Sequence, residues 1–230
     1  MGIPRRYMIG VGTVGVITVV FLVLALRPVV MAISARNDLA KVTRDHLSEE
    51  QMRKWASGHH GGVTCDGGRC TGSVYISNRL LHALGLAPLT RFDAEIITDR
   101  GQAVQASLSL SDVQYLGAAS GATTVGIIAY EAKEGSYPIH APFVLKGLHG
   151  PTGKPPLRIY MVTPHSAPQA IARAFEINVW CLARIGGCSP SQQAPPIWAL
   201  PPTPIPEGAN LNLDQVEKVL GTLPDNPESR

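Results

Sequence analysis

Charge is scarce in this sequence. Asp, Glu, Lys and Arg make up 16% of its 230 residues, against roughly 25% in an average soluble domain. No run of Lys and Arg forms a nucleic-acid footprint, and the net charge of +3 is small, so nucleic acid is set aside as a partner. Catalytic signatures are missing too. There is no Gly-x-Ser-x-Gly and no His-Glu-x-x-His, the patterns that would announce an esterase elbow or a zinc protease. The stretch Gly150-Pro-Thr-Gly-Lys-Pro155 falls short of a phosphate loop, because Leu148 stands where its first Gly belongs and Pro155 where Ser or Thr would bind magnesium. Cys-x-x-Cys is absent, which excludes a thioredoxin-type redox site. No cofactor is implied.

What the chain has instead is one long apolar run. Tyr7 to Leu26 carries no charge and is flanked by Arg5, Arg6 and Arg27. Twenty helical residues rise about 30 Å, the thickness of a bilayer's hydrocarbon core. A cleaved signal peptide has a shorter apolar region, about 7–15 residues, and a small-residue cleavage site. Val23-Leu24-Ala25 is a poor site of that kind, so the run is read as an uncleaved signal-anchor. Gly10 to Gly15 matches the dinucleotide pattern Gly-x-Gly-x-x-Gly. That pattern needs a preceding strand, and only a short basic tail precedes it. Its small residues instead permit close approach of another helix.

Two rules disagree on orientation. Arg27, Arg36, Lys41 and Arg44 outnumber Arg5 and Arg6, which taken literally keeps the C-terminal side in the cytoplasm. Four cysteines in two close pairs, Cys65 with Cys70 and Cys181 with Cys188, suit an oxidising compartment. Long domains translocate largely regardless of flanking charge, so the extracytoplasmic, periplasmic placement is preferred. The expected organisation is a cytoplasmic tail (1–6), an anchor in the inner or plasma membrane (7–26), a stalk (27–47), an α+β domain (48–189), a proline-rich linker (190–208) and a short amphipathic helix with its tail (209–230).

The domain is expected to be a mainly antiparallel sheet packed by one long C-terminal helix. Ser48 with Gln51 forms a capping box, and Glu49 and Glu50 favour the helix start. Cys65 and Cys70 bracket Asp-Gly-Gly-Arg, a bend between two strands. Asn78 to Leu86 predicts a short helix with Leu80, Leu81 and Leu84 inward and Gly85 as its stop. Phe92, Ala94 and Ile96 alternate with Asp93 and Glu95, and Val104 to Leu110 alternates likewise across the turn Asp99-Arg100-Gly101, which predicts a hairpin. Asp93 and Glu95 are read as a solvated face. Strands are also predicted within 122–133 and 156–164, with a long loop between. Ser166 is the expected cap of a helix running to Cys188, with Pro168 in its first turn and Ile171, Phe175, Asn178, Leu182 and Ile185 at helical spacing.

Cysteines flanking a hairpin loop face each other at about 4.5–5.5 Å between Cα atoms, within disulfide range. Seven residues of unbroken helix would separate Cys181 and Cys188 by about 10.5 Å, so Gly186-Gly187 must let the chain turn back. The preferred pairing is 65–70 with 181–188; a hairpin-to-helix cross-link is the rival. The alternative for this region is a cytoplasm-facing metal site of His59, His60, Cys65 and Cys70.

The expected function is binding. An anchor, no catalytic motif, and a tether ending in a helix too short to stand alone describe an adaptor within an envelope assembly. Its expected contacts to a protein partner are Ile197, Trp198 and Leu200 in the tether, with Leu213, Val216 and Leu220 beyond it. Self-packing of those residues is the competing reading. A membrane-tethered hydrolase using Ser166 with His165, His140 or His149 is the rival from another class, with Ser166 as a plain helix cap against it.

Overall fold

Alternation of apolar and polar residues in the middle of the chain produces a seven-stranded sheet in the order β1-β2-β3-β4-β5-β7-β6 in the computed structural model. The structure describes residues 5–42, 48–113, 124–129, 143–146, 158–162 and 166–201. The strands are β1 (Gly62–Asp66), β2 (Arg69–Ser77), β3 (Leu89–Asp99), β4 (Gln102–Val113), β5 (Thr124–Ala129), β6 (Phe143–Lys146) and β7 (Arg158–Val162). All neighbours pair antiparallel except β5 with β7, which are parallel. Strand β6 lies inside the stretch expected to be a loop, and the prolines on either side of it hid a four-residue strand. The turn Asp99-Arg100-Gly101 joins β3 to β4 as expected, with Gly101 at φ 82°.

One face of the sheet is apolar. Val74 and Ile76 on β2, Phe92, Ala94 and Ile96 on β3, and Ala106, Leu108 and Leu110 on β4 are buried there. Helices cover that face. The first, α1 (Arg5–Val42), is a single helix of 38 residues containing Pro28. Its N-terminal part leaves Val14, Val16, Ile17, Val19, Val20, Val23 and Leu24 exposed. Among the described residues it is one helix long and apolar enough to cross a membrane. Its C-terminal part, expected as a stalk, instead buries Val29, Ala32, Ala35 and Leu39 in the core. Their spacing of three and four residues puts them on one helical stripe.

Helix α2 (Glu49–Gly58) starts at the Ser48–Gln51 capping box and buries Met52, Trp55 and Ala56. Gly72 of β2 lies directly beneath it: a Cβ there would stand 2.7 Å from Met52 Cγ. Helix α3 (Arg79–Ala83) follows β2 and stops at Gly85, at φ 66°. Leu81 is buried as expected, but Leu84 points outward.

The expected long C-terminal helix is not formed. Residues 166–188 hold a short helix, α4 (Pro168–Ala174), a break, and a 3-10 turn (Val179–Ala183). The N-cap of α4 is Ala167, not Ser166. The break has an identifiable cause in competing partners. Arg36 of α1 donates to the Ile177 carbonyl at 3.1 Å, and the Asn178 amide donates to the Gln193 carbonyl at 2.7 Å. An N–H donated to a distant carbonyl is lost to the i to i−4 ladder, which removes the Asn178 amide; the Ile177 carbonyl has two lone pairs and also accepts from the Val179 amide at 3.0 Å. Beyond Cys188 the prolines do not make an extended linker over the described stretch. They open two single-turn helices, α5 (Pro190–Gln193) and α6 (Pro195–Trp198), each with proline in its first turn, where a missing N–H costs nothing.

Helix α5 carries Gln193, which is fully buried. Neither its Oε1 nor its Nε2 has a hydrogen-bond partner among the described residues. A buried polar group left unmatched costs about 1–3 kcal/mol. Gln193→Met keeps the chain length and removes both polar atoms, so it should raise the melting temperature. A clear fall in thermal unfolding of the variant would show that the amide is matched in solution.

Candidate functional site

Three regions concentrate polar or redox chemistry: the seam between α1 and the domain, the two disulfides, and the second face of the sheet. The seam is built from the C-terminal turns of α1 and from α2. Trp55, almost fully buried, donates its indole Nε1–H to the Ala35 carbonyl at 3.2 Å. His59 Nε2 lies 3.1 Å from Asp38 Oδ2, and Lys41 Nζ is 3.1 Å from Asp38 Oδ1. Arg36 reaches across to Ile177. These contacts and the apolar stripe lock α1 to the domain. Composition and periodicity gave no hint of the pairing of Asp38 with His59. The usable signal was the stripe Val29, Ala32, Ala35, Leu39, which continues past the apolar run.

Both cysteine pairs stand at disulfide distance as expected: Cys65 with Cys70 at 4.1 Å and Cys181 with Cys188 at 5.5 Å between Cα atoms. Cys65 and Cys70 are direct cross-strand partners of β1 and β2, with Gly67 and Gly68 at positive φ in the bend. Gly186 and Gly187, at φ 79° and 75°, fold the chain back to bring Cys188 to Cys181. The first bridge is exposed at Cys65, where Arg53 Nη2 lies 3.1 Å from the sulfur and 2.7 Å from Glu49 Oε1. The second is buried against the core.

The four residues of the alternative metal reading are not brought together as a donor set. His59 is engaged by Asp38, and His60 is exposed at φ 58°. The group whose donor atoms lie within 4.8 Å of one another is Glu49, Cys65 and Cys70, and its two sulfurs are bonded to each other, so neither is a thiolate ligand. Of the hydrolase residues, the structure describes Ser166 alone. Ser166 is buried, and His140, His149 and His165 lie outside the described residues.

The sheet's second face departs from the expected solvated surface. Asp93 is 7% exposed. Its carboxylate sits 2.8–2.9 Å from Arg91 Nε and accepts from the Ser109 hydroxyl at 3.3 Å. The Arg91 guanidinium also lies 5.6 Å from the ring centre of Tyr75, the cross-strand neighbour of Asp93. Burial pushes the Asp93 carboxyl above its ordinary range, with Arg91 and Ser109 pulling the other way. Burial first, and then the charge of Asp93, push Glu95 up against the pull of Arg69. On the other, apolar face, at the end of the sheet beyond Phe92 and Leu110, burial raises Asp112 against the Thr90 hydroxyl, which donates to it at 2.7 Å. The second face thus offers two positioned carboxylates, Asp93 and Glu95, held above their ordinary range. Sequence alternation found the face but could not show that Asp93 on it is buried.

Of the expected partner contacts, Ile197 is fully buried in the chain's own core, and Trp198 and Leu200 pack against that core. Leu213, Val216 and Leu220 lie outside the described residues. Comparison with known protein families, characterised proteins and solved structures finds no match.

Two predictions follow from these sites by different physics. Each bridge closes a short loop, and removing one costs about 2–4 kcal/mol through loop entropy. Cys181→Ala with Cys188→Ala also empties volume beside the core, so that pair should lower the melting temperature more than Cys65→Ala with Cys70→Ala. Equal losses would remove the packing contribution. The second concerns pH. A carboxyl whose folded pKa lies above its unfolded value stabilises fully below the unfolded value and loses that contribution as pH rises through the folded one. With reference values of 3.8 for Asp93 and Asp112 and 4.5 for Glu95, the loss begins near pH 4 and continues upward. The protein should melt higher at about pH 5 than at about pH 7, and Asp93→Asn with Glu95→Gln should flatten that slope. An unchanged slope in the double variant rules these groups out as its source.

Proposed function

We propose that the protein is a single-pass membrane protein whose extracytoplasmic α+β domain works by binding, as a component or adaptor of an envelope assembly. The observation that carries this reading is α1: one unbroken helix that leaves Val14, Val16, Ile17, Val19, Val20, Val23 and Leu24 exposed and further on contributes Val29, Ala32, Ala35 and Leu39 to the domain's core. An apolar run of that length suits a bilayer, and a helix that continues into a core holds the domain close to the membrane in a fixed attitude. Two cysteine pairs at disulfide distance support an oxidising compartment. The partner surface is assigned to the end of the chain, through Leu213, Val216 and Leu220, because Ile197, Trp198 and Leu200 are occupied by self-packing.

Free-thiol labelling in cells, before and after reduction, tests the compartment. All four cysteines should be unreactive until reductant is added, and a reporter fused after Arg230 should be active only when exported. Cytoplasmic reporter activity together with four reactive thiols would overturn the reading. Truncation after Leu200 tests the partner surface: the melting temperature should hold while co-purification of the partner is lost.

A further inference from the structure

The contacts along α1 are ordered. Asp38 meets His59, Ala35 meets Trp55, and Arg36 meets Ile177. Just before Arg27, Phe21 and Ala25 pack with Leu81 of α3 and Ala87 of the loop after it. Phe21 precedes Arg27 by six residues, about 9 Å along the helix axis. Both Phe21 and Ala25 belong to the uncharged run. The α3 end of the domain therefore touches α1 inside the stretch that suits hydrocarbon.

That end carries exposed apolar side chains. Leu84 is 54% exposed, Leu86 37% and Ile185 68%. They come from two loops that are joined: the Gly186 amide donates to the Leu86 carbonyl at 2.8 Å. Gly187 approaches Pro88 so closely that a Cβ would stand 2.6 Å from its Cγ. The three side chains thus share one two-loop tip. Exposed Arg79 and Arg184 stand on the same two segments, and Arg27 is exposed on α1. Apolar tips rimmed by cations are the composition of a surface that sits in the boundary between acyl chains and anionic headgroups.

We propose that this tip dips into the same bilayer that α1 crosses. Leu84, Leu86 and Ile185 enter the acyl boundary, and Arg27, Arg79 and Arg184 meet headgroup phosphates. The inference rests on the reading of α1 as a membrane anchor and extends it, giving the domain a second membrane contact and hence a set orientation. The occupant is lipid rather than protein because the tip is continuous with the apolar helix through Leu81, Ala87, Phe21 and Ala25.

The test uses the full chain reconstituted in vesicles of phosphatidylcholine and phosphatidylglycerol. Single cysteines at Leu84, Leu86 and Ile185 replace exposed side chains, so the core is untouched, and the native cysteines stay silent as disulfides. Each is labelled with an environment-sensitive fluorophore and challenged with nitroxide lipids of graded depth. Val19→Cys reports on the span, and Ser57→Cys, exposed on α2, reports on the far side. Quenching at 84, 86 and 185 by shallow nitroxides, at 19 by deep ones and at 57 by neither is the expected result. Arg79→Glu with Arg184→Glu should reduce the quenching at 185 in anionic vesicles. If 84, 86 and 185 behave like 57 while 19 is quenched, the tip is in water; the inference falls and the anchor stands. Blue-shifted but unquenched labels at the tip mean that protein covers it, which also overturns the inference. A span label that no nitroxide reaches removes the anchor and the inference together.

Discussion

The stripe of Val29, Ala32, Ala35 and Leu39 is the constraint on which the remaining structure depends. A helix with an apolar surface all round belongs in lipid or in a core, and α1 passes from an exposed apolar stretch into the core without a break. The change comes at Arg27, where exposed charge enters the sequence while the buried stripe continues. Two of the four stripe residues are alanines, so the helix backbone approaches the sheet and the 3-10 turn closely. Close approach brings the Ala35 carbonyl within reach of Trp55 and the Arg36 guanidinium within reach of Ile177. A bulky side chain at Ala32 or Ala35 would separate those partners, because a tightly packed interior has no spare volume to yield.

Arg36 links that seam to the shape of the C-terminal half. It holds the Ile177 carbonyl, and next to it the Asn178 amide is withdrawn from the helical ladder by Gln193, just before the tight loop closed by Cys181 and Cys188. The same bond network draws the proline-rich segment inward, so that Ala194 and Ile197 complete the core. Long-range partners here override a helical periodicity that was real in the sequence, since tertiary contacts outweigh propensities of a few tenths of a kcal/mol per residue.

Legibility followed the range of the interactions. The apolar run, the Ser48–Gln51 box, the hairpin at Asp99-Arg100-Gly101 and the Cys65–Cys70 bend all rest on neighbours within a few residues, and all could be read directly. The inward set Phe92, Ala94 and Ile96 was legible for the same reason. What stayed hidden needed partners far along the chain. The break after Ala174 goes with the Asn178 amide's bond to the Gln193 carbonyl, beside an Ile177 carbonyl held by Arg36 from more than a hundred positions away. Prolines in 190–201 were read as an extended tether, although Ser189 with Gln192 three residues on matches the start signal recognised at Ser48; the Gln192 side chain accepts from the Ser189 amide at 3.0 Å. Asp93 and Glu95 were read as solvated because alternation identifies a face without saying what lies over it. Ile185 and Leu84 were placed inward on helical spacing and in fact point out, which is how the exposed tip escaped notice.

A domain that shares its core with a long apolar helix differs physically from one on a flexible stalk. A flexible tether lets a domain explore a volume whose radius grows with the square root of its length, and its binding surface then meets partners in any orientation. Here the chain enters the core within a few residues of Arg27, so that freedom is lost from the start. The exposed edge strand β1 and the charged second face of the sheet are thereby held in a set relation to the axis of α1. A partner recognised by such a domain must be presented at a particular height and angle. The entropy of orienting the domain relative to α1 is therefore lost on folding rather than on binding.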